Sequence, residues 1–432
     1  MWFATNGNWN GDPAKGTNPA TTLVNKGDLV FSESNVHNST STSFTSDGYI
    51  NFGQRPFRYP PPEGFGPLCA ANDQQIANPK NYYKGVLYTG SGNNTVNTIS
   101  DFNFQPDLLI FKQYDATQNW PWYDSVRGTS LAIRSNNTDE EKVFGDAVVT
   151  PQPGGFKITG SNTTGINGSS ENMIVYGFKA GGNKGTFNRD GVAYATAAAA
   201  GLSAGDTTIN GASIGTKQGF SIIKYTGPND TNNHTVAHGL DKAPDLIITK
   251  NLDRDCNWDV YHSYFDSGDY MTMTADATRT NGYNGAPTAT VINTEHDYST
   301  NENEEYIAYC WHNIPGLQKV GKYVSNNQSS QNKGPMVLTG FRPAQVVIRI
   351  DGADGWHIFD NQRDPTNGIS KRIWWSSNAA QSNNVFLDFL ANGFKLVTND
   401  SGVNGSSGTS YYFIAWADQC ASPIYGGQSN AY

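Results

Sequence analysis

The chain is expected to be all-β, and three observations lead there. Short β-branched and aromatic runs of 5–7 residues alternate with clusters of Asn, Gly, Ser and Thr, which is how strands and turns read in a sequence. No stretch keeps a 3.6-residue apolar period for more than two turns, apart from Ala197-Ala198-Ala199-Ala200-Gly201-Leu202, so long amphipathic helices are excluded. One ordered set of motifs also recurs three times at near-constant spacing, which marks an array of repeated structural units. Many short strands with frequent turns fold as antiparallel sandwiches or barrels. After the first 78 residues, the expected architecture is three homologous antiparallel β-sandwich repeats.

Composition narrows the function classes. The 432 residues include 29 Lys and Arg against 38 Asp and Glu, a net charge of −9, so no basic footprint for nucleic acid is expected. Hydrophobic residues are only 37% of the chain, below the ~45–50% of ordinary globular domains. Aromatics reach 12%, and each buries ~150–250 Å², which supports folded cores and argues against disorder. No run approaches the ~20 apolar residues of a membrane-spanning helix, and no membrane insertion is expected. Met1-Trp2-Phe3 leads at once into Asn, Gly and Asp rather than into a secretory leader, so synthesis in a cytoplasm is expected. Four scattered cysteines, Cys69, Cys256, Cys310 and Cys420, imply neither a disulfide scaffold nor a zinc site.

Residues 1–78 stand outside the repeats. They hold Asn8-Trp9-Asn10-Gly11-Asp12-Pro13-Ala14 and Tyr49-Ile50-Asn51-Phe52-Gly53-Gln54-Arg55-Pro56-Phe57, then Tyr59-Pro60-Pro61-Pro62-Glu63-Gly64-Phe65 and Pro67-Leu68-Cys69-Ala70-Ala71-Asn72. These phrases resemble the C-terminal part of the SPRY-type, concanavalin-like jelly-roll domains of virion proteins in marine tailed bacteriophages. The family domain is about twice as long as this segment, so the resemblance implies a partial jelly roll, completed by a neighbouring chain or rebuilt on fewer strands.

The repeats follow over 79–180, 219–316 and 317–432. Each opens on a Tyr-bearing strand around Tyr88, Tyr225 and Tyr323. After 18, 19 and 20 residues comes a Pro leading an apolar run, at Pro106, Pro244 and Pro343. A Trp-x-x-aromatic strand begins 14, 14 and 13 residues later, at Trp120, Trp258 and Trp356. Closing strands end each unit, Ile174 to Phe178, Ile307 to Trp311 and Tyr412 to Trp416, and the first and third share Gly155-Phe156-Lys157-Ile158 and Gly393-Phe394-Lys395-Leu396. Residues 181–218 read as an insertion or linker whose Ala run makes a short helix stopped at Gly201. Only Pro315-Gly316-Leu317-Gln318 joins the second repeat to the third, so those two are expected to form a rigid pair and the first to be placed more independently. Phrases such as Gly219-Phe220-Ser221-Ile222-Ile223-Lys224-Tyr225-Thr226-Gly227, Ala243-Pro244-Asp245-Leu246-Ile247-Ile248 and Thr339-Gly340-Phe341-Arg342-Pro343-Ala344 resemble an uncharacterised repeat of phage tail-fibre and tail-appendage proteins. That resemblance implies a place in a virion and no chemistry.

Side chains three apart on a strand point to opposite faces, so Trp120, Trp258 and Trp356 read as repeat anchors, with Pro106, Pro244 and Pro343. Aromatics peculiar to one repeat, Trp122, Tyr270, Tyr283, Trp374 and Trp375, are the candidates for glycan or subunit contacts. Asp124 and Arg127 match Asp360 and Arg363, with His262 and Phe265 in their place in the second repeat; Asp–Arg pairs three apart read as braces. The acidic runs Asp139-Glu140-Glu141 and Glu302-Asn303-Glu304-Glu305 read as solvated charge rather than the paired carboxylates of a glycosidase. Asp351-Gly352-Ala353-Asp354-Gly355 and Asp253-Arg254-Asp255 read as turns rather than Ca²⁺ ligands. The seven histidines show no ligand spacing, and nucleophile-elbow and phosphate-loop patterns are missing. The expected protein is a structural, non-enzymatic virion component without metal or cofactor: a tail fibre or appendage that is a homo-oligomer, expected as a trimer, contacts other virion proteins and adsorbs to a host surface polysaccharide. A capsid decoration or head fibre is the alternative, and a polysaccharide depolymerase a further one.

Overall fold

The computed structural model describes residues 4–5, 8–9, 76, 78–143, 146–161, 163, 165–228, 232–266, 268–273, 285–294, 303–328 and 333–420. The jelly roll expected over 1–78 falls outside the described residues, save two short antiparallel strands, Ala4–Thr5 and Asn8–Trp9, and residues 76 and 78. From residue 76 to 420 the described chain belongs to one compact body. It is all-β: its helical pieces are a single turn at Ser401–Asn404 and a 3₁₀ turn at Pro79–Asn81.

All three repeats lay down the same antiparallel order of strands. The opening strand (Tyr83–Thr89, Phe220–Thr226, Gln318–Val324) pairs with the closing strand (Asn172–Phe178, Glu305–Trp311, Ser410–Cys420). The closing strand pairs with the Pro-led strand (Leu108–Gln113, Leu246–Asn251, Phe341–Ile350), and that one with the Trp strand (Pro121–Asp124, Asp259–His262, His357–Asp360). A smaller leaf covers one face of this main sheet. It is built from Asn97–Ile99, Val148–Gln152 and Gly155–Thr159 in the first repeat and from Thr235–Ala237 and Val291–Asn293 in the second. In the third, Ser382–Leu390, Gly393–Leu396 and Met336–Leu338 continue the main sheet through Ile369–Trp374, so eight strands curl round the core.

Period-two alternation then divides each main sheet between two cores. Met173 and Val175 lie in the first repeat's own core with Leu109 and Phe111, while Ile174, Tyr176 and Phe178 turn the other way with Leu108 and Ile110. Tyr306, Ala308 and Cys310 face the second repeat's core, and Ile307, Tyr309 and Trp311 face away from it. Tyr411, Phe413 and Ala415 do the same against Tyr412, Ile414 and Trp416. All the outward sets meet in one central cluster shared by the three repeats. The rings of Phe178, Trp311 and Trp416, one per repeat, touch one another with centroids 5.9, 5.1 and 6.3 Å apart and mark a pseudo-threefold axis.

This changes the expected organisation. Repeat one is not the more independent unit: a main sheet apolar on both faces needs cover on both, and the other two repeats supply the second cover. The 181–218 segment is not a linker either. Thr208–Gly215 pairs with the second opening strand, Phe187–Arg189 lies parallel to it, and Val192–Tyr194 adds a further strand. The second repeat's sheet edge is thereby covered by its own chain. The Ala run makes hydrogen-bonded turns rather than a helix, Leu202 N bonding Ala197 O at 2.9 Å, because the chain reverses at Gly201 with φ +82°.

Candidate functional site

The repeat anchors do their work between repeats. Trp258 Nε1 donates to Arg134 O of the first repeat at 3.1 Å, Trp356 Nε1 to Thr272 O of the second at 3.0 Å, and Trp120 Nε1 to Ser377 O of the third at 3.0 Å. Each indole thus satisfies its N–H on the next repeat round the axis. The aromatic three positions on, Tyr123, Tyr261 and Phe359, packs on its own repeat's core. Pro106 and Pro244 sit buried just ahead of their strands, while Pro343 is buried within its strand at a shift of register, where a missing N–H is tolerated.

The unrepeated aromatics are largely withdrawn from solvent, which corrects their reading as glycan contacts. Trp122 and Trp375 are 0% and 1% exposed, and their rings meet at 5.8 Å in the central core; Trp122 also packs edge-on to Trp258 at 5.0 Å. They fill the shared interior, where equivalent positions carry smaller side chains such as Val260 and Met273. Tyr270 is buried in the second repeat's core. Trp374 is half-buried beneath the Arg372 guanidinium, 4.9 Å from its centroid, and Arg372 in turn pairs with Asp400 at 2.8 Å. Tyr283 lies outside the described residues.

Three junctions connect the repeats, and two are alike. Asp124 caps its own turn by accepting from Val126 N and Arg127 N at 3.0 and 2.9 Å, holds the buried Arg127 Nε, and accepts from Tyr309 Oη of the second repeat at 2.7 Å. Asp360 accepts from Gln362 N and Arg363 N at 3.0 and 2.8 Å, from Arg363 Nε at 2.7 Å and from Tyr176 Oη of the first repeat at 2.8 Å. Burial pushes the Arg127 guanidinium down, but Asp124, Tyr309 and Glu141 together leave it well above its ordinary range. Burial, helped by Asp360, raises the Tyr176 phenol. These are structural braces that tie neighbouring repeats together.

At the third junction both sides have changed. Ile414 holds the register position of Tyr176 and Tyr309, and His262 holds that of Asp124 and Asp360. The His262 ring stacks on Phe265 at 5.2 Å and meets Tyr412 at 5.2 Å, while Phe265 meets Tyr412 at 4.6 Å. Nδ1 accepts from Tyr264 N at 3.2 Å, which leaves Nε2 to donate to Phe413 O at 3.3 Å. Burial pulls the imidazole down to about 3, so it is neutral.

A buried cation stands at one register position in each repeat: Lys112, Lys250 and Arg349, opposite Ile174, Ile307 and Tyr412. Lys112 Nζ donates to Gln118 O at 2.7 Å and to Asn378 O of the third repeat at 2.8 Å; Lys250 Nζ donates to Arg254 O at 3.2 Å and Thr138 O of the first at 3.4 Å. Burial lowers Lys112 to about 7 and lowers Lys250 in the same sense. The acidic runs are braces as well as surface charge: Glu141 pairs with Arg127 at 3.0 Å, Asp139 with Arg134 at 3.2 Å, and Glu304 with Arg254 at 3.2 Å. No three His, Cys, Asp or Glu among the described residues are placed to hold a metal ion.

The symmetry is broken most openly beside the insertion, where a cleft of about 390 Å³ opens between it and the first repeat. The half-exposed Tyr82 ring forms part of its wall, with Lys179 Nζ at 5.6 Å and Lys217 Nζ at 5.9 Å from the ring centroid. Asp107 lies beneath, accepting from Ser125 Oγ at 3.0 Å, Ala180 N at 2.7 Å and Gly182 N at 3.2 Å. Burial outweighs those bonds and pushes its carboxyl up to about 6. Sequence reading did not single out Tyr82, Lys179 or Lys217. They come from the start of the repeat, the exit of its closing strand and the end of the insertion, and no local pattern connects them.

The family described as a domain of unknown function, DUF7483, matches residues 78–420. The chain belongs to that family. The matched span coincides with the compact body, so a DUF7483 domain is the whole three-repeat assembly rather than one repeat of it. Its tandem organisation explains this: a single repeat would leave half of its main sheet uncovered. No curated protein and no solved structure matches the chain.

Proposed function

We propose that this DUF7483 protein is a structural, receptor-facing component of a phage virion, a tail fibre or tail appendage that contributes to assembly and to adsorption on a host-surface glycan. The observation that carries the reading is the central core: three tandem repeats close a pseudo-threefold body within one chain, and most of the conspicuous aromatics are used to hold it together. Such a body suits a rigid spacer or presenting unit. The resemblance of residues 1–78 and of the repeat phrases to phage appendage proteins supplies the setting. Because the threefold core is complete within one chain, the proposed homo-oligomer, a trimer in our reading, forms through other surfaces.

Mass spectrometry of purified particles tests the proposal, which fails if the chain is not a virion component. Immuno-gold labelling then separates tail from head: gold confined to heads favours a capsid decoration. Release of reducing ends from host polysaccharide by the purified chain points instead to a depolymerase. Mass photometry of the same chain reports the number of copies.

A further inference from the structure

Two ammonium groups converge on one tyrosine ring in the cleft beside the insertion. Neither Lys179 nor Lys217 forms an ion pair with a described carboxylate. The nearby acids have other work: Asp107 binds Ser125, Ala180 and Gly182, and Asp190 accepts from Thr216 N and Oγ1, both at 2.8 Å. Lys184 adds a third cation to the wall. Three lysines against two engaged aspartates make this a locally cationic hollow on a chain whose net charge is −9. Like charges near one another repel, and an anion between them relieves that repulsion.

The hollow is also fixed in place. Gln218 Nε2 donates to Lys179 O at 3.1 Å and to Ala180 O at 2.8 Å, so the side chain next to Lys217 ties the insertion to the segment carrying Lys179. Gln318 Nε2 continues the tie by donating to Gln218 O at 3.0 Å. Lys179 and Lys217 are therefore held on converging backbones before any ligand arrives, which lowers the ordering cost of binding. The insertion lies at the boundary between repeats one and two, and its residues Lys184, Asp190 and Lys217 form part of the cleft wall.

We propose that this cleft binds an acidic sugar residue, a uronate or a sulfated hexose, with its anionic group between Lys179 and Lys217 and its C–H face against Tyr82. A ring beside cations matches a ligand with one apolar face and one charge. Lysine suits it as a compact point charge that makes no demand for a planar, two-pronged partner. The volume falls within the ~300–1,000 Å³ of small-ligand sites. The inference rests on the adsorption reading above for the choice of a sugar among anions.

The test is calorimetric titration of the full chain with trigalacturonate, with a heparin-derived hexasaccharide and with neutral maltotriose. The parent is compared with Lys179→Gln/Lys217→Gln, with Tyr82→Ala, and with Lys333→Gln as an exposed-lysine control from the third repeat. At least one acidic oligosaccharide is expected to bind, the double variant to weaken it tenfold or more, Tyr82→Ala to weaken it severalfold, and Lys333→Gln to leave it unchanged. Affinity should fall as salt rises from about 0.05 to 0.2 M, as exposed charge contacts require. The proposal is overturned if neither acidic oligosaccharide binds, if the double variant binds like the parent, if maltotriose binds as well as the acidic sugars, or if inorganic sulfate alone binds as tightly as the hexasaccharide. A parallel pull-down on host envelope polysaccharide keeps the two readings apart. Equal capture of parent and double variant sinks the cleft and leaves adsorption standing, whereas capture of neither sinks both.

Discussion

Tyr309 Oη donates to Asp124 Oδ2 at 2.7 Å across the junction between the second and first repeats, with both groups buried. The bond joins a closing strand to a neighbouring Trp strand and makes an intra-repeat brace into an inter-repeat one. Tyr309→Phe should lower stability by about 1.5–3 kcal/mol, the range for a hydrogen bond to a charged group. Asp124→Ala removes the partner of a buried guanidinium and should cost more, about 3–5 kcal/mol. Urea unfolding of both variants checks the order, and equal losses would show that the tyrosine contributes as much as the ion pair.

Because the repeats share one interior, they should unfold together. Trp122→Ala empties a large volume where repeats one, two and three meet and should cost about 3–5 kcal/mol. The parent should show one calorimetric transition for the 78–420 body, with calorimetric and van't Hoff enthalpies in agreement. Truncating Trp122 should move that transition as a whole. Separate melting of the first repeat would contradict the shared core.

Acid should weaken the body through its buried histidines. His262 and His238 titrate at about 3 and about 4 in the fold, against ~6.5 when unfolded. Between those values the unfolded chain binds more protons, so stability falls as pH drops from 7 to 5. His262→Gln should flatten this dependence by up to one proton, at most ~1.4 kcal/mol per pH unit. The measurement is the difference in pH slope between parent and variant, and an unchanged slope would mean that His262 is charged in the fold.

Lys112 predicts the opposite flank. Its folded pKa of about 7 lies below the unfolded ~10.4, so the unfolded chain again holds the extra proton and stability rises from pH 7 to 9. Lys112→Met should remove part of that rise. It should also leave Gln118 O and Asn378 O without this donor, costing about 1–3 kcal/mol if water does not replace it. Denaturation midpoints at the two pH values test both effects.

The fold class and the repeat spacing were legible because both are written along the chain. Strands and turns depend on near neighbours in sequence, and the Trp and Pro anchors recur at fixed spacing along it. What sheets do with their second face does not. A clue was present in Leu108-Leu109-Ile110-Phe111, whose unbroken apolar run signals a strand covered on both sides; read as one sandwich, it had a side to spare. Trp122 and Trp375 looked like surface residues because they are not repeated, yet an axis shared by three similar units is where unequal side chains must fit together. Ile414 and His262 show the same thing from afar: each departure from the repeat makes physical sense only beside the other. The cleft was invisible because Tyr82, Lys179 and Lys217 meet through the insertion's pairing with the second repeat.

The chain passes from each repeat to the next beside the close of one sheet and the start of another, as the ties from Gln218 and Gln318 record. Were the same body assembled from three identical polypeptides, any change at a subunit contact would appear in triplicate, and a harmful one would do triple damage. Covalent tandem linkage frees each contact to vary alone. One seam has exchanged charge for stacked rings while its counterparts kept theirs, and one boundary carries a hollow beside its insertion. A molecule built on threefold principles can in this way offer a single, directional face.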